Sequence, residues 1–400
     1  MKKRFILFSL LLTCSIGICL AQSKNEKVFE KKEAALTQKL QQSFEENNYQ
    51  EVEKNSKALI ALFNEQDKET QKRHSWVLQS YYYNLACAQS MLKKKEEALK
   101  SFRLAWQNGC IDYQHILRDT DLDNIRKEKD FEEILAQIKK EGDYLYILQK
   151  SPRYAKNEQT DTLPRFTYAA PNDSNLVKVR QYFQLDSVAG NGDEISQIKN
   201  ILTFIHNKIK HDGQHGNPQQ MNAIALAEAC KDGSRGLNCR GLATVLNECY
   251  LAMGFKSRFI TCMPKKYISD CHVINDVYSS TLNKWLWIDP TNNAWVTDEN
   301  GTLLSIQEVR ERLRDGRPLK LNEEANWNNR EKTTKEEYLD NYMAKNLYYV
   351  NCALRYEFGT EDKKYSPDNY IALMPEGYYN EMEKGSYIVY DDAWFWQAPY

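Results

Sequence analysis

The sequence predicts an α+β protein in which an all-helical N-terminal region precedes a mixed core. Three observations support this prediction. Between residues 27 and 141 the chain has no proline and one glycine, and its apolar residues recur at helical spacing. A further helical pattern begins near Cys239. Two runs rich in strand-forming residues follow it, at 272–278 and 285–289. The expected core is therefore a helix packed on an antiparallel sheet.

Composition and charge exclude several classes of function. The 400 residues include 54 basic and 55 acidic side chains, for a formal charge of −1. This balance gives no electrostatic basis for binding nucleic acid or an anionic membrane. The length allows two or three domains. Ten cysteines are too few for a small disulfide scaffold, so the question becomes which of them carry chemistry.

The N-terminus has the pattern of a signal peptide. Three basic residues at 2–4 precede an apolar run at 5–20 and then Ala21. We expect cleavage after Ala21, removal of residues 1–21, and export to the periplasm or the extracellular space. The run is shorter than the roughly 20 residues that span a bilayer, although an uncleaved anchor is the alternative. No later segment is long and apolar enough to be a transmembrane helix.

Residues 22–149 are predicted to form the helical domain. Ala98, Phe102 and Ala105 share one helix face, and the small-residue pattern of 81–109 resembles a tetratricopeptide repeat. Two interpretations stay open for this TPR-like region. It is a groove that binds a peptide or protein partner, or a short solenoid that docks on the next domain.

Three further segments complete the expected organisation. Residues 150–175 are polar, contain three prolines and show no periodicity, as in a linker. Residues 176–320 are expected to form the catalytic core. Residues 321–400 are expected to form an aromatic-rich β extension whose rings serve mainly in packing.

Cys239 is the first candidate for chemistry. Asn238 is a favoured N-cap residue, and Gly254 is a natural helix stop, so a helix is predicted to begin at Cys239. The free N–H groups and the dipole of a helix N-terminus favour a thiolate, which is the nucleophilic form of cysteine.

A hairpin supplies the candidate base. If Tyr278 pairs with Asn283 across a four-residue turn, His272 lies directly opposite Asp289. The pair would be an imidazole with its orienting carboxylate. Trp285 and Trp287 alternate on the face of Asp289, and one of them is a candidate to shield the thiol and imidazole from water.

The blocks Asn238–Gly241 (NCRG), Asp270–Val273 (DCHV) and Trp287–Thr291 (WIDPT) resemble the signature blocks of the transglutaminase-like superfamily. The resemblance implies a papain-like fold in which Cys239 is the nucleophile, His272 the general base and acid, and Asp289 its orienting group. It also implies an oxyanion hole made by the Cys239 backbone N–H and one upstream donor. Gln214 is the candidate for that donor.

These residues predict acyl transfer at an amide or peptide bond of a peptide or protein substrate. Hydrolysis is favoured over transamidation because an exported enzyme meets far more water than positioned amine. The alternative is an inactive scaffold whose TPR-like repeats bind a partner. No cofactor is expected. No metal is expected either, because the spacing of the candidate ligands matches no paired zinc motif and no calcium loop is present (His211, His215, Cys262, Cys271).

The remaining cysteines divide into two groups. Cys87 and Cys249 lie on apolar helix faces and are expected to serve in packing. Five others could form disulfides in an oxidising compartment, without a connectivity that the sequence indicates (Cys110, Cys230, Cys262, Cys271, Cys352).

Overall fold

The computed structural model describes residues 24–156, 160, 162–267, 270–362 and 367–399. These form two compact units that divide between Tyr146 and Ile147. The predicted signal peptide, residues 1–21, lies outside the described residues. Among the helices that are described, none combines the length and the apolar character needed to cross a membrane.

The first unit is helical throughout its regular structure. A single 3₁₀ turn, Thr120–Leu122, interrupts the series, and the last helix crosses the division between the units. The helices are α1 (Lys24–Glu45), α2 (Tyr49–Asn64), α3 (Lys68–His74), α4 (Val77–Met91), α5 (Lys95–Gln107), α6 (Tyr113–Arg118), α7 (Lys129–Gly142) and α8 (Tyr144–Gln149).

The core of the first unit lies where α4 and α5 pack together. Ala98, Phe102 and Ala105 are fully buried, which confirms the helix face predicted from their spacing. Phe102 stacks on Phe131 of α7, with ring centroids 4.8 Å apart. Small residues at a helix crossing let the backbones approach closely, and the stacked rings fill the next layer. The TPR-like interpretation of this region stays a prediction.

The second unit combines helices with a sheet. Its helices are α9 (Ser174–Tyr182), α10 (Leu185–Ala189), α11 (Glu194–Lys208), α12 (Ala223–Ala229), α13 (Cys239–Ala252), α14 (Ile306–Asp315), α15 (Lys335–Glu337), α16 (Ala344–Asn346) and α17 (Asp392–Phe395), with a π-helical segment at Tyr338–Met343 and 3₁₀ turns at Pro367–Asn369 and Glu381–Glu383. Its strands are β1 (Thr167–Tyr168), β2 (Ser257–Met263), β3 (His272–Ser279), β4 (Lys284–Ile288), β5 (Val296–Thr297), β6 (Lys320–Leu321), β7 (Asn326–Trp327), β8 (Glu331–Lys332), β9 (Tyr349–Ala353), β10 (Arg355–Tyr356), β11 (Tyr370–Leu373) and β12 (Tyr387–Val389).

One six-stranded sheet organises the second unit, in the order β12-β11-β9-β2-β3-β4. All its neighbours are antiparallel except β11 and β12. Residues 321–400 contribute β9, β11 and β12, so the segment expected as a separate extension continues the same sheet. Residues 150–175, expected as a linker, include the buried Phe166 and β1, which pairs with β10.

A buried ion pair joins the sheet to the C-terminal helix. Arg258 of β2 and Asp276 of β3 are both fully buried, with nitrogen and oxygen 2.8 Å apart. The guanidinium also donates to the Phe395 carbonyl and lies 4.0 Å from the ring centroid of Trp285. Burial raises the pKa of Asp276 to about 7 against the opposing charge and hydrogen bond of Arg258.

Every cysteine in the described part of the chain is a free thiol. Cys87 and Cys249 are buried on helix faces, as expected for packing residues. The eight thiols are Cys87, Cys110, Cys230, Cys239, Cys249, Cys262, Cys271 and Cys352.

Candidate active site

Local capping determines where α13 begins. The Asn238 side chain accepts a hydrogen bond from the Gly241 backbone N–H at 3.1 Å, and this bond fixes Cys239 in the first turn. Asn217 holds Asn238 in turn, through bonds to its side chain at 2.7 Å and its backbone N–H at 3.2 Å. A Cβ at Gly241 would lie 2.8 Å from Asn217 Oδ1. Only glycine therefore fits beneath this asparagine pair.

The hairpin of β3 and β4 forms, but its predicted register is wrong by two residues. Tyr278 pairs with Trp285 rather than Asn283, and Ser279 with Lys284 closes a four-residue turn. The Glu194 carboxylate of α11 accepts from the backbone N–H groups of Ser280 and Thr281, both at 2.9 Å, which holds the turn one residue later along the chain.

The two-residue shift keeps His272 and Asp289 on one face of the sheet. Side chains alternate with a period of two, so the shift moves the partners along the strand without reversing their direction. His272 is diagonal to Asp289, and its Nε2 lies 2.8 Å from the carboxylate Oδ2. The imidazole and the carboxylate therefore meet, as the sequence predicted, although the residues of the two strands pair in a different register.

Asp289 is a fully buried carboxylate with several hydrogen-bond donors. Besides His272, its Oδ2 accepts from Tyr338 Oη and from Asn292 Nδ2 at 3.0 Å, and its Oδ1 accepts from the Thr291 N–H at 2.8 Å. Burial opposes ionisation, but the charge and hydrogen bond of His272 outweigh it and lower the pKa of Asp289 to about 2. The carboxylate is therefore ionised throughout the neutral range.

Cys239 completes the arrangement at the N-terminus of α13. Its thiol interacts with His272 and with the backbone of Val273, and the residue is partly exposed. Because Asp289 occupies Nε2 of His272, Nδ1 is the nitrogen left for the thiol. Burial disfavours the thiolate, yet the hydrogen bond and charge of His272 prevail and lower the pKa of Cys239.

His272 responds in the opposite direction. Burial favours its neutral form, but the Asp289 charge, the Asp289 hydrogen bond and the interaction with Cys239 together raise the pKa of His272 to about 10. Both shifts therefore favour a thiolate–imidazolium pair. This is the ground state from which a thiol attacks a carbonyl.

The π-helical segment supplies two tyrosines that the sequence patterns did not indicate. Tyr338 and Tyr342 lie edge-on to the His272 ring, with centroid distances of 6.5 and 5.3 Å. Single π-turns are frequent at functional sites because they alter which side chains share a face. No motif in the sequence marks this segment as part of the site. The one available indication is that Tyr338 and Tyr342 have the i, i+4 spacing of a shared helix face.

The two tryptophans considered as shields lie elsewhere. Trp287 is buried behind Tyr338, with ring centroids 6.2 Å apart. Trp285 packs on Arg258 and donates from Nε1 to the Gln397 carbonyl at 3.0 Å. The rings in contact with His272 are those of the tyrosines.

A cavity of about 290 Å³ opens beside His272. His211 and Trp327 line it, and Trp327 Nε1 donates to His211 Nδ1 at 3.1 Å. Its full lining is His211, His272, Thr291, Asn292, Trp327, Glu331, Lys332, Thr333, Glu337, Tyr338 and Tyr342.

Gln214, the expected oxyanion donor, does not line this cavity. It is exposed on the loop that follows His211, and its backbone N–H donates to Asp212 Oδ1 at 3.1 Å. Asp212 binds the neighbouring exposed His215 as well, at 2.6 Å. These bonds fold the loop on itself and leave Gln214 exposed, and its role as an oxyanion donor stays a prediction.

One group of potential metal ligands lies in the first unit. Ligand atoms of Glu26, Glu30 and His74 are within 4.8 Å of one another. The Glu26 carboxylate already binds Arg73 and His74, each at 3.0 Å. Ion pairing accounts for this cluster.

Comparisons with known proteins give a family match over part of the chain. A family model described as the transglutaminase-like superfamily matches residues 182–290, which include Cys239, His272 and Asp289. The chain also resembles a chloroplastic protein of Arabidopsis thaliana, with 38% identity over 56 residues. That similarity covers 14% of this chain and 17% of the Arabidopsis protein, so the chain spans less than a fifth of that relative's length. Residues 182–290, within the second unit, thus form a core of the transglutaminase-like superfamily.

Proposed function

We propose that this protein is a thiol-dependent acyl-transfer enzyme that acts on amide or peptide bonds of a peptide or protein substrate. Cys239 is the nucleophile, His272 the general base and acid, and Asp289 the group that orients His272. One observation carries the proposal: Cys239 begins α13 and interacts with His272, whose Nε2 lies 2.8 Å from Oδ2 of the buried, ionised Asp289.

The proposed reaction has two stages. Cys239 Sγ attacks the substrate carbonyl, and His272 delivers its proton to the leaving amine as the amide C–N bond breaks. The product of this stage is a thioester on Cys239. In the second stage His272 removes a proton from water, the water oxygen attacks the thioester, and the acid leaves as the thiol is restored.

We propose water as the usual acceptor because we also propose that the protein is exported. The basic residues 2–4, the apolar run 5–20 and Ala21 support export. Mass spectrometry of the protein from its producing cells should show a mature N-terminus at Gln22. An intact N-terminus at Met1 in the extracytoplasmic fraction would contradict cleavage.

The direct test compares wild type with Cys239→Ala. A peptide library is assayed for hydrolysis and for incorporation of an added amine, and an electrophilic amide probe is used to trap the thioester. We expect hydrolysis and labelling to disappear in Cys239→Ala. Cys230→Ala is the matched control, because Cys230 is also a partly exposed free thiol, and it should retain both.

Three outcomes would contradict this proposal or a part of it. Labelling that persists in Cys239→Ala would exclude Cys239 as the nucleophile. Amine incorporation that exceeds hydrolysis at modest amine concentrations would replace water with an amine as the acceptor. A folded wild-type protein that reacts with neither library nor probe would favour the inactive scaffold.

A further inference from the structure

His211 shares the cavity beside His272 but belongs to no part of the thiol–imidazole–carboxylate series. It lies upstream of Cys239, where the oxyanion donor was expected, and three residues before Gln214. Its ring and backbone are both held by neighbouring groups. The bond to the ring determines which of its nitrogens acts as the acceptor.

The backbone of His211 is fixed beside the segment that leads to Cys239. Its N–H donates to Asn328 Oδ1 at 2.6 Å, and its carbonyl accepts from Asn328 Nδ2 at 2.9 Å. His211 also forms a parallel β-bridge with Leu237, two residues before Cys239. The segment that carries His211 is thus paired with the segment that leads into α13.

The ring of His211 is fixed as one neutral tautomer. Trp327 Nε1–H donates to Nδ1 at 3.1 Å, and an indole N–H can only donate, so Nδ1 carries no proton. Burial, followed by the nearby His272, lowers the pKa of His211 to about 4. The neutral ring therefore has its proton on Nε2. Among the residues that the structure describes, Nε2–H has no hydrogen-bond partner.

We propose that His211 Nε2–H is the second donor of the oxyanion hole, acting with the backbone N–H of Cys239. This inference rests on the proposed function. Cys239 is the first residue of α13, and the first N–H groups of a helix lack intrahelical acceptors. When Sγ bonds to the carbonyl carbon, the C=O π electrons move to oxygen, and the two N–H groups donate to that oxygen.

No proton is transferred from His211 in this step. A neutral imidazole with a fixed tautomer stabilises the developing charge by hydrogen bonding alone. The electrons return to re-form the carbonyl when the amide C–N bond breaks. Trp327 is a positioning residue, because it acts on the substrate only through the tautomer of His211.

The test compares two reactions of the same thiol. Acylation of Cys239 by a p-nitrophenyl ester passes through a tetrahedral oxyanion, whereas alkylation by iodoacetamide does not. In His211→Phe we expect acylation to fall by about 10²- to 10³-fold, the usual effect of removing an oxyanion donor, while alkylation is unchanged. His211→Gln, which keeps an N–H donor, should recover part of the acylation rate.

His215→Phe is the matched control on the same loop. His215 is exposed, binds Asp212 and does not line the cavity. Both reactions of His215→Phe should therefore proceed at the wild-type rate. Trp327→Phe keeps His211 and removes the indole N–H. It should lower acylation by less than His211→Phe and leave alkylation unchanged, and it carries the test if His211→Phe does not fold.

The outcomes separate this role from the proposed function. If acylation and alkylation fall together in His211→Phe, His211 acts on the Cys239–His272 pair and the oxyanion role is overturned. Unchanged acylation in His211→Phe also overturns it. If mass spectrometry finds no acyl group on Cys239 of the wild type, the proposed function fails and this role fails with it.

Discussion

Tyr338 donates its phenolic hydrogen to the same Asp289 oxygen that accepts from His272 Nε2. The residue that orients the imidazole is thus itself held by a side chain 49 positions away in the sequence. Asp289 is fully buried. Because an unsatisfied buried carboxylate is costly, this additional donor helps to keep Asp289 ionised.

Tyr338→Phe should therefore destabilise the protein and raise the pKa of Asp289 from its value of about 2. We expect a loss of about 1–3 kcal/mol in the free energy of unfolding at neutral pH. A lowered carboxylate pKa stabilises the fold above the unfolded value of about 3.9, and this is lost as pH falls. As pH falls, the variant should begin to lose this stabilisation at a higher pH than the wild type does.

Urea denaturation at neutral pH and an acid titration followed by circular dichroism measure both effects. Tyr342→Phe is the matched control, because the Tyr342 hydroxyl makes long contacts, each at 3.4 Å, with Asp270 and the Cys271 carbonyl. Equal losses in the two variants would show that the Asp289 bond has no special weight.

The pH dependence of Cys239 reactivity should be bell-shaped for acyl transfer. The rate rises as the thiol ionises through its lowered pKa and falls as the His272 imidazolium deprotonates near pH 10. Alkylation by iodoacetamide needs only the thiolate, so it should rise through the same lowered pKa and not fall near pH 10.

Asp289→Asn should move the alkaline fall of acyl transfer to lower pH, because the Asp289 charge raises the His272 pKa. The raised pKa of His272 also makes the stability of the fold depend on pH. A raised histidine pKa stabilises the fold fully below the unfolded value of about 6.5 and is lost as pH rises toward 10. The exposed Asp186→Asn is the control, and a profile unchanged by Asp289→Asn would contradict the coupling.

Gly241→Ala should disrupt the start of α13. The added Cβ would lie 2.8 Å from Asn217 Oδ1 and 3.0 Å from Leu237 Cβ, so the Asn217–Asn238 pair must shift. Overpacking of this kind costs about 1–3 kcal/mol. Because Cys239 lies in the same turn, iodoacetamide alkylation should slow as well.

Gly216→Ala provides the comparison, since its added Cβ would meet nothing within 4 Å. Thermal unfolding and the alkylation rate are measured for both variants. A Gly241→Ala protein with wild-type values would indicate that the asparagine pair moves freely.

Arg258→Met should be strongly destabilising because it leaves Asp276 buried without its partner. Loss of one member of a buried ion pair costs about 3–5 kcal/mol. The double variant Arg258→Met/Asp276→Leu should recover much of this loss, since no buried charge remains. Urea denaturation of the two single variants and the double variant measures the coupling.

The exposed pair Arg180–Asp186 supplies the control for this cycle. Arg180→Met should cause a much smaller loss, because exposed ion pairs contribute little. A double variant no more stable than Arg258→Met would indicate that the aromatic packing of Arg258, rather than its charge, stabilises the site.

Local patterns predicted much of the fold around the site. The helix that begins at Cys239 follows from Asn238 at its N-cap, and it ends before Gly254, which has a positive φ of 89°. The strand that begins at His272 and the strand that ends just before Asp289 follow from their composition. The family blocks predicted the superfamily core that the match to residues 182–290 confirms.

The register of the hairpin could not be predicted from local patterns. Alternation placed His272 and Asp289 on one face correctly, but not in the right register. The register depends on Glu194, more than 80 residues upstream, which binds the turn at Ser280 and Thr281. Asn283 then adopts a positive φ of 51° that closes the four-residue loop.

The sequence by itself determined the helix cap and the strand alternation, because each depends on neighbours a few positions away. The family blocks in the sequence also identified the three residues of the proposed triad. Only the tertiary structure decided the hairpin register, the Tyr338 bond to Asp289 and the Trp327 bond that fixes the tautomer of His211, 116 residues away. These contacts form only when distant segments pack together, so no local propensity reports them.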